Sequence, residues 1–331
     1  VLNLLTDVAG VAVGHATDIA LGSGVTAILF AEPSVVSVSV GGGAPGLRDI
    51  AMLDPAASVE RIDAVVLSGG SAYGLDAASG VQSVLRAQRR GLAFAGHRVP
   101  LVAQAILFDL AGSGDKDWAE FPPYRELGAA AASSARPDGF ALGSVGAGTG
   151  ATTATCKGGV GSASALTESG HRVGALAAVN AMGSATVGDG PHFWAAPFEH
   201  GREYGGLGWP RTFDLRLPPR LRARVPGTTL VLVATDASLS KPQAHRLASM
   251  ARDGLARAIV PSHAPMDGDC VFAAATGARP LADAVPELTE LGHVAAIVTA
   301  RAIARGVFEA AALPHAVTQP AWRDLFAGHK L

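Results

Sequence analysis

The segment Thr229-Leu-Val-Leu-Val-Ala-Thr235 constrains this chain more than any other. It is a near-continuous apolar run, the pattern of a strand buried on both faces rather than one. Such a strand needs cover from two sides, so the chain has to build layers around it. Gly227-Thr228 leads directly into the run. A Gly-Thr step opening a strand is ordinarily a turn giving way to a β-branched residue. It has a second reading. A threonine in that place becomes a complete catalyst if the peptide bond before it is cut. It then carries a nucleophilic Oγ and a free α-amine, whose pKa of roughly 7.7–8.0 suits a general base.

Around this segment, short apolar runs alternate with glycine clusters. Val35 to Val40 alternates strictly and predicts a half-buried strand ended by Gly41-Gly42-Gly43. Ala64-Val-Val-Leu67 predicts a buried strand. It turns through Ser68-Gly-Gly-Ser-Ala-Tyr73 into a helix from about Gly74 to Arg90, with Leu75, Ala78, Val81 and Leu85 on one face. Leu101 to Leu110 is a further apolar stretch, and Val173 to Val179 is a strand candidate running into Asn180. Ser240-x-x-Gln243 is a capping box with Pro242 in the first turn, and Leu247, Ala251, Leu255 and Ala258 continue that helix. Asp267-Gly-Asp269 predicts a turn into the Cys270-Val-Phe-Ala strand, and Leu291 to Leu313 a last, buried helix. No regular βαβ rhythm runs through these elements. The fold class expected is α/β, with sheets layered between helices instead of one doubly wound parallel sheet.

The longest irregular stretch, 188–226, holds Pro191, Pro197, Pro210, Pro218 and Pro219 with Trp194 and Trp209. A loop of that length in a compact domain is usually functional. It ends at Val225-Pro226-Gly227, a place that suits an exposed processing loop whose cut ends must separate.

Composition excludes several classes. The formal net charge is −2 with no basic block, so no nucleic-acid partner is expected. No apolar run of about 18 residues escapes interruption by Gly, Pro or charge, so no membrane span is expected. The first residues lack the pattern of a signal peptide. Cys156 and Cys270 do not make a disulfide framework, which fits a reducing cytoplasm. The histidines show no metal-ligand spacing, and neither metal nor cofactor is expected. Charged residues make up only 16% of the chain, which predicts a homo-oligomer that hides part of its surface.

The candidate site residues each have a plain structural reading beside the chemical one. Gly143–Gly150 invites a phosphate-loop reading, but Lys157 lies between Cys156 and Gly158, not between Gly and Ser or Thr. Glu168 sits in a poor context for a dinucleotide fingerprint. A non-enzymatic small-molecule or nucleotide-binding α/β protein, with glycine loops holding anions, stays as the alternative class. Lys157 reads as a solvated loop lysine, yet the small residues around it let other segments approach closely. Asn180 is either a satisfied turn amide or a donor aimed at a developing oxyanion. Asp267 and Asp269 read as turn formers, Tyr73 as a core-edge residue, and the two cysteines as small buried thiols.

Taken in order, Val11-Ala-Val-Gly-His-Ala-Thr17, Val66-Leu-Ser-Gly-Gly-Ser-Ala-Tyr-Gly-Leu75, Gly146-Ala-Gly-Thr-Gly-Ala151, Lys157-Gly-Gly, Gly227-Thr-Thr-Leu230, Ala234-Thr-Asp-Ala237 and Asp267-Gly-Asp269 resemble the P1 family of self-processing hydrolases. That family holds D-/L-aminopeptidase/esterases, β-aminopeptidases and nylon-oligomer hydrolases. The likeness runs from about Val8 to the last helix.

The resemblance implies a four-layer α/β/β/α sandwich similar to N-terminal-nucleophile hydrolases. It implies one catalytic domain, 1–331, that cuts itself into a large subunit 1–227 and a small subunit 228–331, with several such pairs assembling. Thr228 matches the family nucleophile, and Lys157 and Asn180 match residues that hold it and polarise the substrate carbonyl. Tyr73 matches an active-site tyrosine, and Asp267 and Asp269 an acidic pair beside the nucleophile. Thr228 with Asp-Gly-Asp is similar to the nylon-oligomer branch. Gly227 stands where that branch has Asn, and the segment ending in Tyr73 is closer to the aminopeptidases. The expected substrate is therefore a small amide: a linear 6-aminohexanoate-type oligomer, or a short peptide with a free amine.

Overall fold

The computed structural model describes residues 1–217, 226–315 and 319–327. Pro218, Pro219 and Val225 of the expected processing loop lie outside the described residues. The strands are β1 (Val11–Asp18), β2 (Ser23–Val40), β3 (Gly46–Arg48), β4 (Ile62–Ser68), β5 (Leu92–Phe94), β6 (His97–Val99), β7 (Val102–Ile106), β8 (Val160–Leu166), β9 (Arg172–Asn180), β10 (Thr228–Ala237) and β11 (Cys270–Arg279). The helices are α1 (Ala77–Ala87), α2 (Tyr124–Ser133), α3 (Lys241–Ala251), α4 (Asp253–Ala258), α5 (Ala284–Phe308) and α6 (Trp322–Leu325). Hydrogen bonds connect the main strands in the order β3-β7-β4-β2-β11-β10-β9-β8, with β1 added on β2, and β5 and β6 form a separate two-stranded sheet.

β2 is the hinge of this order. Its first half pairs with β1 and β4, and its second half, Val35 to Val40, pairs antiparallel with β11. Between the halves, Glu32 is exposed and Pro33 has no N–H to give to a ladder, so the strand passes there from one sheet to the other. The two sheets face each other across one apolar core, and each packs a further core against helices on its outer face. One lies between α1, α2 and the β1–β2–β4–β7 sheet, and includes Val25, Val66, Val81 and Tyr124. The middle core lies between the sheets and contains Ile28, Leu67, Leu176, Leu232 and Phe272. The third packs Val231, Val233 and Val271 against Leu247, Leu255 and Ile303 of the helices. Three cores make four layers, α/β/β/α. Along β10, Leu230 and Leu232 fill the middle core while Val231 and Val233 fill the third, which is why that strand is apolar at nearly every position.

Several element boundaries depart from the sequence expectation. A 3-10 turn occupies Ser71–Asp76, and α1 begins only at Ala77. The buried Gln104 of β7 decides this: it accepts the Ala78 N–H at 3.0 Å and donates to the Gly74 carbonyl at 2.6 Å. The expected helix after Ser240 is two helices, α3 and α4, and the Ser240–Gln243 capping box opens the first. The helix expected at Leu291 to Leu313 is α5, which ends at Phe308 and starts at Ala284, where Glu287 accepts the N–H groups of Ala282 and Asp283 at 3.2 Å; the short α6 follows it. By length and composition α5 could cross a membrane, but 78% of its most apolar window is buried inside this fold.

Candidate active site

Thr228 is the first residue of β10 and lies directly opposite Asn180, the last residue of β9. Opposed residues of an antiparallel pair share a face of the sheet, so the candidate nucleophile and the candidate amide donor are neighbours. Thr228 is buried, and its hydroxyl donates to the carbonyl oxygen of Gly227, the group it would attack. The same carbonyl oxygen accepts the Gly268 N–H at 3.0 Å. The uncut chain thus holds a hydroxyl and a backbone donor together on one peptide carbonyl.

Two glycines make room for this. A Cβ on Gly268 would lie 2.6 Å from Thr228 Oγ1, and one on Gly227 would lie 2.2 Å from the Met182 nitrogen. Both positions exclude a side chain by contact alone, whatever their backbone angles.

The acidic pair brackets the junction. Asp267 runs parallel beside Gly227 and accepts the N–H groups of Met182 at 3.3 Å and Ala264 at 3.1 Å. Burial pushes its carboxyl up to about 6, the nearby Asp269 charge adds to this, and those backbone donors pull the other way. Asp269 accepts the Thr229 N–H at 2.7 Å on one oxygen; the other takes both the N–H and ring Nδ1 of His263, at 2.9 and 3.0 Å. It thereby fixes the residue that follows the candidate nucleophile.

Lys157 is buried, not solvated, with its side chain 2% exposed. Its Nζ donates to the carbonyls of Gly148, Ala151 and Gly158 at 3.1, 2.7 and 2.9 Å. Three acceptors match the three hydrogens of an ammonium, while burial pulls its pKa down to about 7 and Asp109 holds it back. Its loop reaches the site through Thr152, which bridges to Lys157 and whose N–H donates to Asn180 Oδ1 at 2.9 Å. Asn180 Nδ2 donates to the Phe108 carbonyl at 2.8 Å, and its second hydrogen has no partner among the described residues. Tyr73 stands apart from this group. It is 54% exposed on the 3-10 turn after β4, edge-on to Trp118 at 5.2 Å. That turn meets β7 where Ser71 N–H donates to Leu107 O, one residue before the carbonyl that holds Asn180.

So Thr228, Asp267, Asp269 and Asn180 form one cluster, Lys157 adjoins it through its loop, and Tyr73 lies outside it on an exposed turn. Sequence reasoning missed Gly268, His263 and Asp109. Gly268 carried a signal, standing between two acids, but it read only as a turn. Among the described residues no group of three or more His, Cys, Asp or Glu is arranged to hold a metal ion.

The profile of peptidase family S58 matches residues 3–319. The chain belongs to peptidase family S58. An uncharacterized aminopeptidase of Mycobacterium tuberculosis is 40% identical to this S58 chain over 99% of both sequences. A 6-aminohexanoate-oligomer endohydrolase of an Agromyces species is 27% identical, covering 82% of this chain and 74% of that one. Among solved structures, the L-aminopeptidase D-Ala-esterase/amidase of Ochrobactrum anthropi, described as a variant of the Ntn hydrolase fold, superposes with a TM-score of 0.65. That match is 20% identical and covers 94% of this chain and 87% of the other. The fold is therefore of the Ntn-hydrolase kind, and this S58 chain is a peptide or amide hydrolase.

Proposed function

We propose that the chain is an autoprocessing N-terminal-threonine hydrolase that cuts itself between Gly227 and Thr228 and then hydrolyses small amides. The observation that carries this reading is the Gly227 carbonyl oxygen, which receives both the Thr228 hydroxyl and the Gly268 N–H. In the uncut chain Thr228 Oγ attacks the Gly227 carbonyl carbon. Its proton passes to the Asp267 carboxylate, directly or through one water, and the Gly268 N–H takes the charge that develops on oxygen. The C–N bond then breaks as the Thr228 nitrogen takes up a proton, leaving Gly227 esterified to Oγ. Water hydrolyses that ester, which releases the Gly227 carboxylate and returns the Thr228 hydroxyl beside the α-amine that the C–N cleavage has freed.

In the cut enzyme the same Oγ attacks a substrate amide and the α-amine carries the proton to the leaving nitrogen. The remaining Asn180 hydrogen and the buried Lys157 charge stabilise the oxyanion, a single such donor being worth roughly 2.7–4 kcal/mol of barrier. Asp269, held by His263, orients the first residues of the new N-terminus, and Tyr73 lines the substrate side. Water then resolves the acyl-enzyme.

Short peptides with a free amine are the favoured substrates, supported by the 40% identity to a relative named an aminopeptidase. Thr228 with the Asp267/Asp269 pair favours a second reading, linear 6-aminohexanoate-type oligomers, supported by the more distant relative at 27%. Free, buried Cys156 and Cys270 are consistent with work in the cytoplasm.

A denaturing gel tests the self-cleavage: the chain runs as fragments 1–227 and 228–331, and Thr228→Ala runs as one. Cleavage of the alanine variant at the same bond would remove Thr228 from the mechanism. An amino-acid p-nitroanilide and a 6-aminohexanoate oligomer, assayed side by side on cut enzyme, separate the two substrate readings. Hydrolysis of neither would sink both.

A further inference from the structure

Behind the candidate site lies a buried carboxylate that the mechanism above does not use. Asp109 is 3% exposed, in the loop after β7. The Ser23 hydroxyl donates to its Oδ2 at 2.7 Å, and the Gly70 N–H donates to its Oδ1 at 2.8 Å. Tyr124, the first residue of α2, donates its OH to Ser23 Oγ at 3.1 Å. This chain of donors has one direction: the Ser23 oxygen is occupied by Tyr124, so its own hydrogen goes to Asp109. Every partner donates, the arrangement a carboxylate anion requires.

Three arms of the site meet at this residue. Gly70 begins the turn that carries Tyr73. Phe108, its chain neighbour, supplies the carbonyl that holds Asn180. Gly150 packs against it so closely that a Cβ there would lie 2.9 Å from Asp109 Oδ2. The next residue, Ala151, gives Lys157 its shortest hydrogen bond, at 2.7 Å.

We propose that Asp109 is a positioning residue. It clamps the Tyr73 turn, the Asn180 carbonyl partner and the Lys157 loop into one unit, and its negative charge keeps Lys157 an ammonium at the pH of catalysis. The inference rests on Lys157 acting at the substrate carbonyl, as proposed above.

Lys116 donates to the carbonyls of Gly22 and Ser113, both at 3.1 Å, and faces Asp109, Asp18 and Asp115. Tyr124 approaches through Ser23, and burial pushes its phenol up, out of the neutral range. Burial also raises the Asp109 carboxyl, and Ser23, Gly70 and Lys116 pull it back down. Lys157 is the opposite case, pulled down by burial and held up by Asp109. Taking away the Asp109 charge therefore makes Lys157 lose its proton at lower pH.

The chain has four lysines, Lys116, Lys157, Lys241 and Lys330, so each lysine ε-carbon is resolvable by NMR. The test is a pH titration of lysine-labelled, uncut T228A protein with and without Asp109→Asn, a change that keeps shape and removes charge. The Lys157 signal should titrate at least about one pH unit lower in the asparagine variant. In cut enzyme the same substitution should lower kcat at least about tenfold with KM within about twofold, and bring the alkaline limb of kcat to lower pH.

An unchanged Lys157 titration would overturn the proposal, as would a D109N enzyme with the parent's kcat and pH profile. Asp109→Ser, which also removes the charge but keeps a hydroxyl, should move Lys157 in the same direction; it decides the question if the asparagine variant fails to fold. The NMR arm needs no turnover. A chain that never cuts itself would defeat the proposed function and still leave the Asp109–Lys157 coupling measurable.

Discussion

At Gly268, a side chain as small as a methyl would reach 2.6 Å from Thr228 Oγ1. Gly268→Ala should therefore displace the nucleophile while its N–H stays in the chain, and self-cleavage should slow by roughly 10²-fold, the usual cost of about 1 Å of misplacement. A mass-spectrometric time course after synthesis measures this, and parent-like cleavage would separate Gly268 from the reaction. Asp267 supplies the pH dependence. With its carboxyl raised to about 6, it is neutral below that pH and an anion above it. In the proposed self-cleavage only the anion would accept a proton from Thr228. Self-cleavage should thus fall as pH drops through about 6, and Asp267→Asn should abolish that limb along with most of the rate. In a rate-versus-pH series, a parent profile flat between about 5 and 7 would exclude Asp267 as the base.

Thr228 and Asn180 are opposed because β9 and β10 pair in a register that sets Leu230 opposite Ala178 and Leu232 opposite Leu176, all in the middle core. A slip of one residue would turn those side chains to the other face, so apolar packing pins the register and the register aligns the proposed catalytic pair. Elements away from this junction should affect stability without touching chemistry. Ser240 caps α3 by accepting the Gln243 N–H. Ser240→Ala should cost about 0.5–2 kcal/mol, seen as a lower melting temperature, with activity per folded molecule unchanged. A loss of kcat in that variant would mean that α3 reaches the site through the sheet.

Across the whole molecule, the proposed cut does not divide the fold. β10 of the small fragment lies between its own β11 and β9 of the large one, and β11 pairs with β2. Arg301 of α5 adds a buried ion pair with Glu203 at 2.6 Å, tying the last long helix to the segment 199–204. The fragments should therefore co-migrate under native conditions after running apart on a denaturing gel. Separation in native size-exclusion chromatography would contradict this architecture. Light scattering should return the mass of several such pairs, because a chain with 16% charged residues has little with which to cover a lone surface. A mass of one pair would refute that.

Local pattern was enough for sheets layered between helices and for the strand at Thr229–Thr235, whereas Thr228, Asn180, Lys157 and the aspartate pair became candidates through the resemblance to a known family. Period and propensity act over a few residues, and motif spacing is itself a linear property. The same information could not start α1 at Ala77 rather than Gly74, because Gln104, from a strand distant in sequence, holds that turn. Nor could it bury Lys157, whose three carbonyl acceptors come from a loop that only folding closes. His263 on Asp269, Gly268 on the Gly227 carbonyl and Asp109 beneath the site follow the same rule. Each depends on a contact made through space, and a contact of that kind leaves no period in the sequence.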